Sequence, residues 1–312
     1  MLLAQVGTTL YLANQTLDRT LSYHCPVCQT KVILKLGTKM IPHFAHQTKA
    51  TCPASVGETY EHLAGKLLLQ TFFQQFTLEV YLPDLKQRPD LLWEDQVIEF
   101  QCSPLSHKRF LERTHNYLLH GYQPIWILGQ GLHPTKRLSQ LQQACLRFDP
   151  KYGFFLYGLD VSRKQFLIFR YLHWSYEQGL TYQLNQINLI RKKERASIIT
   201  HQTRPVTYQT WIQQQLAFKR RDLVLLQQKC YVYGSHLAYL ESWMYSTSEF
   251  GILFSHRLLY YRLLFRMSDS FLAFRKKMMD ELALWSYPFL DREDIVHALF
   301  DECVQLAKKT FP

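Results

Sequence analysis

Apolar residues at 60, 63, 64, 67, 68, 72 and 76 recur at the three- and four-residue spacing of one helical face, which predicts a helix over about 56–76. Ser55-Val56-Gly57-Glu58 at its start has the S-x-x-E form of a capping box. Apolar runs at 78–82, 89–93 and 96–102 follow, each of strand length. Ser103-Pro104 offers an N-cap with proline at the first helical position, and Gly121 a left-handed stop, so a second helix is expected between them. Pro124 to Leu128 then reads as a buried strand. The predicted order of helix, three strands, helix and strand describes an α/β core.

The pattern changes on both sides of this core. Residues 2–13 read as a strand or short hairpin, and 20–54 are dense in Cys, His and Pro without helical periodicity. Such a segment is organised by something other than an apolar core, and a metal is the expected organiser. Beyond the core, Tyr152 to Tyr171 reads as a hairpin with Asp160-Val161-Ser162-Arg163 near its turn, and helices are expected from about 205 onward. No internal repeat or low-complexity run interrupts this order. Three segments are therefore predicted: a metal module over 1–54, the α/β core over 55–150, and a hairpin plus helical region over 151–312.

Composition narrows the class. The 312 residues are 47% hydrophobic and 20% charged, enough apolar material to exclude a disordered chain. No stretch approaches the roughly 20 apolar residues of a bilayer span, and the first residues lack a basic n-region, so a cytoplasmic protein is expected. Lys and Arg number 36 against 25 acids, a formal charge of +11 that favours a polyanionic partner. The excess is uneven: residues 1–150 carry 14 bases and 11 acids, residues 151–312 carry 22 and 14. Seven cysteines, an odd number, argue for thiols or metal ligands rather than a disulfide framework.

Two constellations carry chemistry. Cys25-Pro26-Val27-Cys28 is followed by His43, His46 and Cys52, five candidates for the four positions of a tetrahedral zinc site, with Phe44 as the plug of a small core. In the α/β core, a two-residue turn at Glu94-Asp95 pairs Trp93 with Gln96 and sets Asp90 opposite Glu99. Paired carboxylates with Cβ atoms about 5 Å apart repel, and a shared divalent cation is the economical compensation. Glu58, His62 and Lys66 follow one another at four-residue steps on the preceding helix, either as further site groups or as a solvated polar stripe. No phosphate-cradling glycine loop, dinucleotide turn or nucleophile elbow competes for the assignment. In the last segment Arg262 and Arg266 lie one turn apart beside Tyr260, Tyr261 and Phe265, an interleaving that suits single-stranded DNA as well as an ordinary amphipathic helix.

Pro89-Asp90 with Glu99-Phe100-Gln101 nine residues on, after a helix bearing Glu58, resembles the PD-(D/E)xK nuclease pattern on its restriction-endonuclease-like αβββαβ core. More closely, Tyr23-His24-Cys25-Pro26-Val27-Cys28, Pro42-His43-Phe44-Ala45-His46, Gly57-Glu58-Thr59-Tyr60-Glu61-His62, Glu99-Phe100-Gln101-Cys102-Ser103-Pro104-Leu105-Ser106 and Gly121-Tyr122-Gln123-Pro124-Ile125-Trp126 resemble the CoiA-like competence proteins. The resemblance is specific over 1 to about 150 and looser beyond. It implies action on internalised transforming DNA, single-stranded or branched, with recombination proteins as partners. It also implies that Asp90 and Glu99 bind catalytic Mg²⁺ or Mn²⁺ and that Glu58 completes or orients the site. Where the general pattern has a lysine two residues after the acid this chain has Gln101, so Lys66 or Lys108 is the candidate replacement. The functional expectation is a metal-dependent DNA nuclease, with a non-catalytic single-strand-binding adaptor as the alternative.

Overall fold

The computed structural model describes residues 1–37, 40–47, 52, 58–188, 194–199, 206–282 and 287–310. The chain divides into two compact units, one of residues 1–133, 157–168 and 186–195, the other of the remainder.

The first unit opens with the expected hairpin, β1 (Leu3–Val6) against β2 (Thr9–Leu12). A second hairpin, β3 (Val32–Lys35) and β4 (His43–His46), carries the module's histidines. Tyr23, Val32 and Phe44 are buried beside Cys25 and Cys52, and Phe44 at 1% exposure is the expected plug.

The α/β core follows in the predicted order: α1 (Tyr60–Phe72), β5 (Thr77–Leu78), β6 (Leu91–Trp93), β7 (Gln96–Gln101), α2 (His107–Leu119) and β8 (Gln123–Leu128). The sheet is mixed, with β5, β6 and β7 antiparallel and β8 parallel to β7. Its ladder pairs Leu91 with Ile98, Leu92 with Val97 and Trp93 with Gln96, the expected register. The turn lacks glycine, and Glu94 itself takes the left-handed conformation at φ 51°.

Helix boundaries differ from expectation. α1 starts at Tyr60, with the Thr59 side chain accepting from the His62 amide, and stops at Phe72 rather than 76. The remainder of the Ser55 capping box lies outside the described residues. α2 is capped by Ser106, not Ser103, because Ser106 is the hydroxyl that reaches the Arg109 amide. Gly121 has the expected positive φ.

Ile98 and Phe100 of β7 pack toward α1 with Leu63, Leu69 and Leu91, whereas Val97 packs with Tyr117 of α2. α1 approaches so closely that a Cβ on Gly65 would stand 1.9 Å from the Phe100 ring, so only glycine fits there.

The rest of the chain comprises α3 (Gln140–Ala144), β9 (Arg147–Asp149), β10 (Gly153–Asp160), β11 (Gln165–Ser175), β12 (Gly179–Asn188) and β13 (Glu194–Ile199). Among the described residues the α-helices that follow are α4 (Tyr208–Ala217), α5 (Arg221–Tyr231), α6 (Gly251–Phe254), α7 (Arg257–Arg266), α8 (Phe271–Glu281) and α9 (Arg292–Thr310). β10 and β11 are the expected hairpin strands, and β10 runs parallel to β8 at Tyr157 and Gly158. β12 and β13 were not legible as strands, since polar residues such as Gln183, Asn185 and Gln186 dilute their alternation. No helix among the described residues is long and apolar enough to cross a membrane.

Candidate metal centres and cleft

Cys25 to Gln29 forms a tight turn closed by the Gln29 amide on the Cys25 carbonyl, with Gln29 at φ 60° and the Val27 amide 3.4 Å from the Cys25 sulfur. The turn aims both thiols at β4. Cys25, Cys28, His46 and Cys52 bring one ligand atom each within 4.8 Å of one another. The Cys25 and Cys52 sulfurs are 3.9 Å apart, close to the roughly 3.8 Å edge of a tetrahedron with Zn–S bonds of about 2.3 Å. His46 Nε2 stands 3.3 Å from the Cys28 sulfur. Three thiols and one imidazole form a closed set that could hold a metal such as zinc.

His43 is outside this set, which corrects its candidacy: its ring lies 2.8 Å from the Ile41 carbonyl. The reason is strand geometry, because residues three apart on a strand point to opposite faces, whereas Phe44 and His46 share one. Burial pushes the Cys28 thiol up, but hydrogen bonds to Thr30, His46 and Cys52 outweigh it and bring the thiol down to about 6. A thiolate is the form that ligates metal.

The second cluster gathers where α1 crosses the ends of β6 and β7. His62 lies between two acids, with Nδ1 3.2 Å from Glu58 and Nε2 3.1 Å from Asp90. One turn on, Lys66 is fully buried, paired with Glu58 and Glu79 and 3.8 Å from Asp90. The solvated-stripe alternative is thus excluded for Lys66. The Asp90 carboxylate also accepts from the Phe100 amide at 2.8 Å, and the Met1 amine lies 2.7 Å from Glu58.

Burial alone would neutralise these groups, but their partners reverse it. For Asp90 the charge and hydrogen bond of His62 hold the carboxyl low; for Glu58 the His62 hydrogen bond and Lys66 do so. Burial lowers His62, yet Asp90 and Glu58 push it up to about 10, so without a metal it is an imidazolium at neutral pH. Lys66 is likewise held charged against its burial by Glu79, Asp90 and Glu58.

The expected pairing of Asp90 with Glu99 is not made: the ladder begins at Leu91–Ile98, the Asp90 amide donates to the Ile98 carbonyl at 3.1 Å, and the two carboxylates take different partners. Glu99 lies on the strand face of Val97 and accepts from Arg113 and the Tyr117 hydroxyl of α2. Its pKa is raised, since burial outweighs the Arg113 charge. Among the described residues, Glu58, His62 and Asp90 form a group of three whose ligand atoms lie close enough that they could hold a metal ion, and Glu99 is not part of it. Gln101 donates to the Ser103 carbonyl at 2.6 Å. Lys108 of α2 is exposed and 3.9 Å from Glu112, leaving Lys66 as the lysine beside the acids.

Glu58, His62, Asp90, Glu99 and Gln101 line one cleft of about 580 Å³, which α2 borders with Arg109, Arg113 and Asn116. The CoiA family described as "Competence protein CoiA, nuclease-like domain" is matched over residues 58–203, and its "Competence protein CoiA, N-terminal domain" over 12–55. The chain belongs to the CoiA-like family. Competence protein CoiA of Bacillus subtilis (strain 168) is 34% identical over 125 residues, 37% of this chain and 33% of that protein. The chain thus aligns with about a third of that CoiA protein's length. No solved structure matches it.

Residues absent from the sequence reading complete the centre. Glu79 is buried at φ 50°, and its carboxylate accepts from the Leu2 and Leu3 amides, Lys66 and Arg88. The one available signal was a lone acid inside the apolar run Leu78-Glu79-Val80-Tyr81-Leu82. Arg113 and Tyr117 were readable only as helical residues.

The arginines read as DNA contacts are corrected in part. Arg262 is fully buried, and its guanidinium is spent on the carbonyls of Met244 and Ser246 and on Glu302. It cannot reach a phosphate. Arg266 is 58% exposed and pairs with Glu241 at 2.7 Å.

Proposed function

We propose that the protein is a metal-dependent deoxyribonuclease of the PD-(D/E)xK kind, acting in the cytoplasm on single-stranded or branched DNA during competence and recombination. The observation that carries this reading is the grouping of Glu58, His62 and Asp90, with ligand atoms within 4.8 Å of one another on the wall of the cleft. The nuclease-like family match supports it.

Two carboxylates suit Mg²⁺ or Mn²⁺ with positions left for water and phosphate, and His62, which would have to give up its proton to ligate, favours Mn²⁺ of the two. Bound there, such an ion supplies charge neutralisation at the scissile phosphate and a more acidic water. The remaining tasks fall to this chain's own groups. The Phe100 amide orients Asp90. Lys66 supplies the fixed positive charge that the motif lysine gives elsewhere, from the helix instead of the strand. Gln101, tethered to Ser103, steadies water by its amide oxygen. Glu99 keeps Arg113 at the cleft wall. Zinc on Cys25, Cys28, His46 and Cys52 is structural.

One observation favours the adaptor reading: His62, Lys66 and Arg88 already compensate the acids, so the cluster stands without a metal. Incubation of purified protein with labelled single-stranded, duplex and branched DNA in Mg²⁺, Mn²⁺ or EDTA separates the two. Metal-dependent cleavage lost in Asp90→Asn is the expected result. Binding without cleavage under every condition replaces the nuclease by the adaptor.

A further inference from the structure

We infer that Lys86 and Arg109 grip the backbone of a nucleic-acid strand in the cleft while Tyr81 stacks on one of its bases, which makes the ligand single-stranded. The inference rests on the nucleic-acid reading of the cleft but not on catalysis.

The cations of the cleft fall into two groups. Arg88 is paired with Glu79, Arg113 with Glu99, and His62 with Glu58 and Asp90. Lys86 and Arg109 line the same cleft, are exposed, and form no ion pair among the described residues. They come from separate segments, Lys86 from the turn closed by its amide on the Pro83 carbonyl, Arg109 from the first turn of α2. Two uncommitted positive charges brought to one cleft from separate segments fit a chain of phosphates better than one small anion.

The sequence of α2 points the same way. Its first turn carries His107, Lys108 and Arg109 and no acid. Cations there oppose the helix dipole in the free protein, and a phosphate beside Arg109 reverses that conflict. Tyr81 is half-buried on the cleft wall. An aromatic face accepts any unpaired base, whereas a base inside a duplex is already stacked.

The test is fluorescence anisotropy of labelled single-stranded and duplex oligonucleotides in EDTA, over a salt series. Lys86→Asn combined with Arg109→Gln removes both charges, and asparagine tolerates the left-handed φ of 51° at position 86. The expected result is weaker single-strand binding and a log–log salt slope flatter by about 1.4, at about 0.7 per phosphate contact. Tyr81→Ala should weaken single-strand binding roughly 5- to 150-fold and leave duplex binding unchanged. An unchanged slope in the double variant, or a slope lost instead in Arg266→Glu, overturns the inference. So does duplex binding as tight as single-strand binding and equally sensitive to Tyr81→Ala. A protein that passes these tests yet never cleaves loses the nuclease reading alone; one that cleaves but fails them loses only the inference.

Discussion

Replacing Lys66 by methionine keeps the aliphatic stem and deletes only the charge. The ammonium is fully buried between Glu58 and Glu79, whose side chains are 6% and 1% exposed, and lies 3.8 Å from Asp90. Removing one partner of a buried ion pair costs about 3–5 kcal/mol, because the abandoned charge keeps its desolvation penalty. Here two acids lose a direct partner and a third loses a near neighbour, so the upper half of that range is expected. At about 2–4 °C per kcal/mol for a unit of this size, thermal unfolding in EDTA should fall by roughly 8–20 °C. Hydrogen exchange in α1 and β7 should accelerate in step. Adding Glu79→Gln to Lys66→Met should return part of the loss, and Mn²⁺ should raise the midpoint of Lys66→Met, since a cation on Glu58 and Asp90 replaces the missing charge. A cost under about 1 kcal/mol, or strict additivity of Lys66→Met and Glu79→Gln, would refute the account of a mutually compensated buried cluster.

Metal analysis should find one zinc per chain, retained in His43→Ala and lost in Cys28→Ser together with the protease resistance of the module. Arg262→Met should destabilise the second unit by about 3–5 kcal/mol, and Arg262→Met with Glu302→Leu should recover much of that in urea unfolding, as expected for a structural pair. His133 is held below its ordinary pKa by burial, despite hydrogen bonds to the Leu128 and Leu159 carbonyls. The unfolded chain therefore binds a proton that the folded chain refuses, so stability is full above the unfolded pKa of about 6.5 and falls as pH drops through it. His133→Gln should flatten the stability profile between about pH 7 and 5; an unchanged profile would remove His133 as its source.

Local pattern determined a good deal of this protein. Helical spacing located α1, short apolar runs located β6, β7 and β8, and the Glu94-Asp95 turn set a ladder register that the backbone follows. Those features depend on near neighbours, so sequence carries them. The C-x2-C turn was legible for the same reason. What the sequence could not decide was where each side chain points once elements pack. His43 and His46 look equivalent in the string but fall on opposite faces of β4. Asp90 and Glu99 are set opposite by the turn read from the string, yet the ladder starts one residue later, and one carboxylate turns to His62 of α1 and the other to Arg113 and Tyr117 of α2. Arg262 and Arg266 share a helix, but only packing buries the first against Glu302. Glu79 joined the site because its carboxylate reaches amides more than 70 residues away in sequence, at Leu2 and Leu3. Long-range desolvation and charge compensation chose these partners, and neither leaves a periodic trace in the chain.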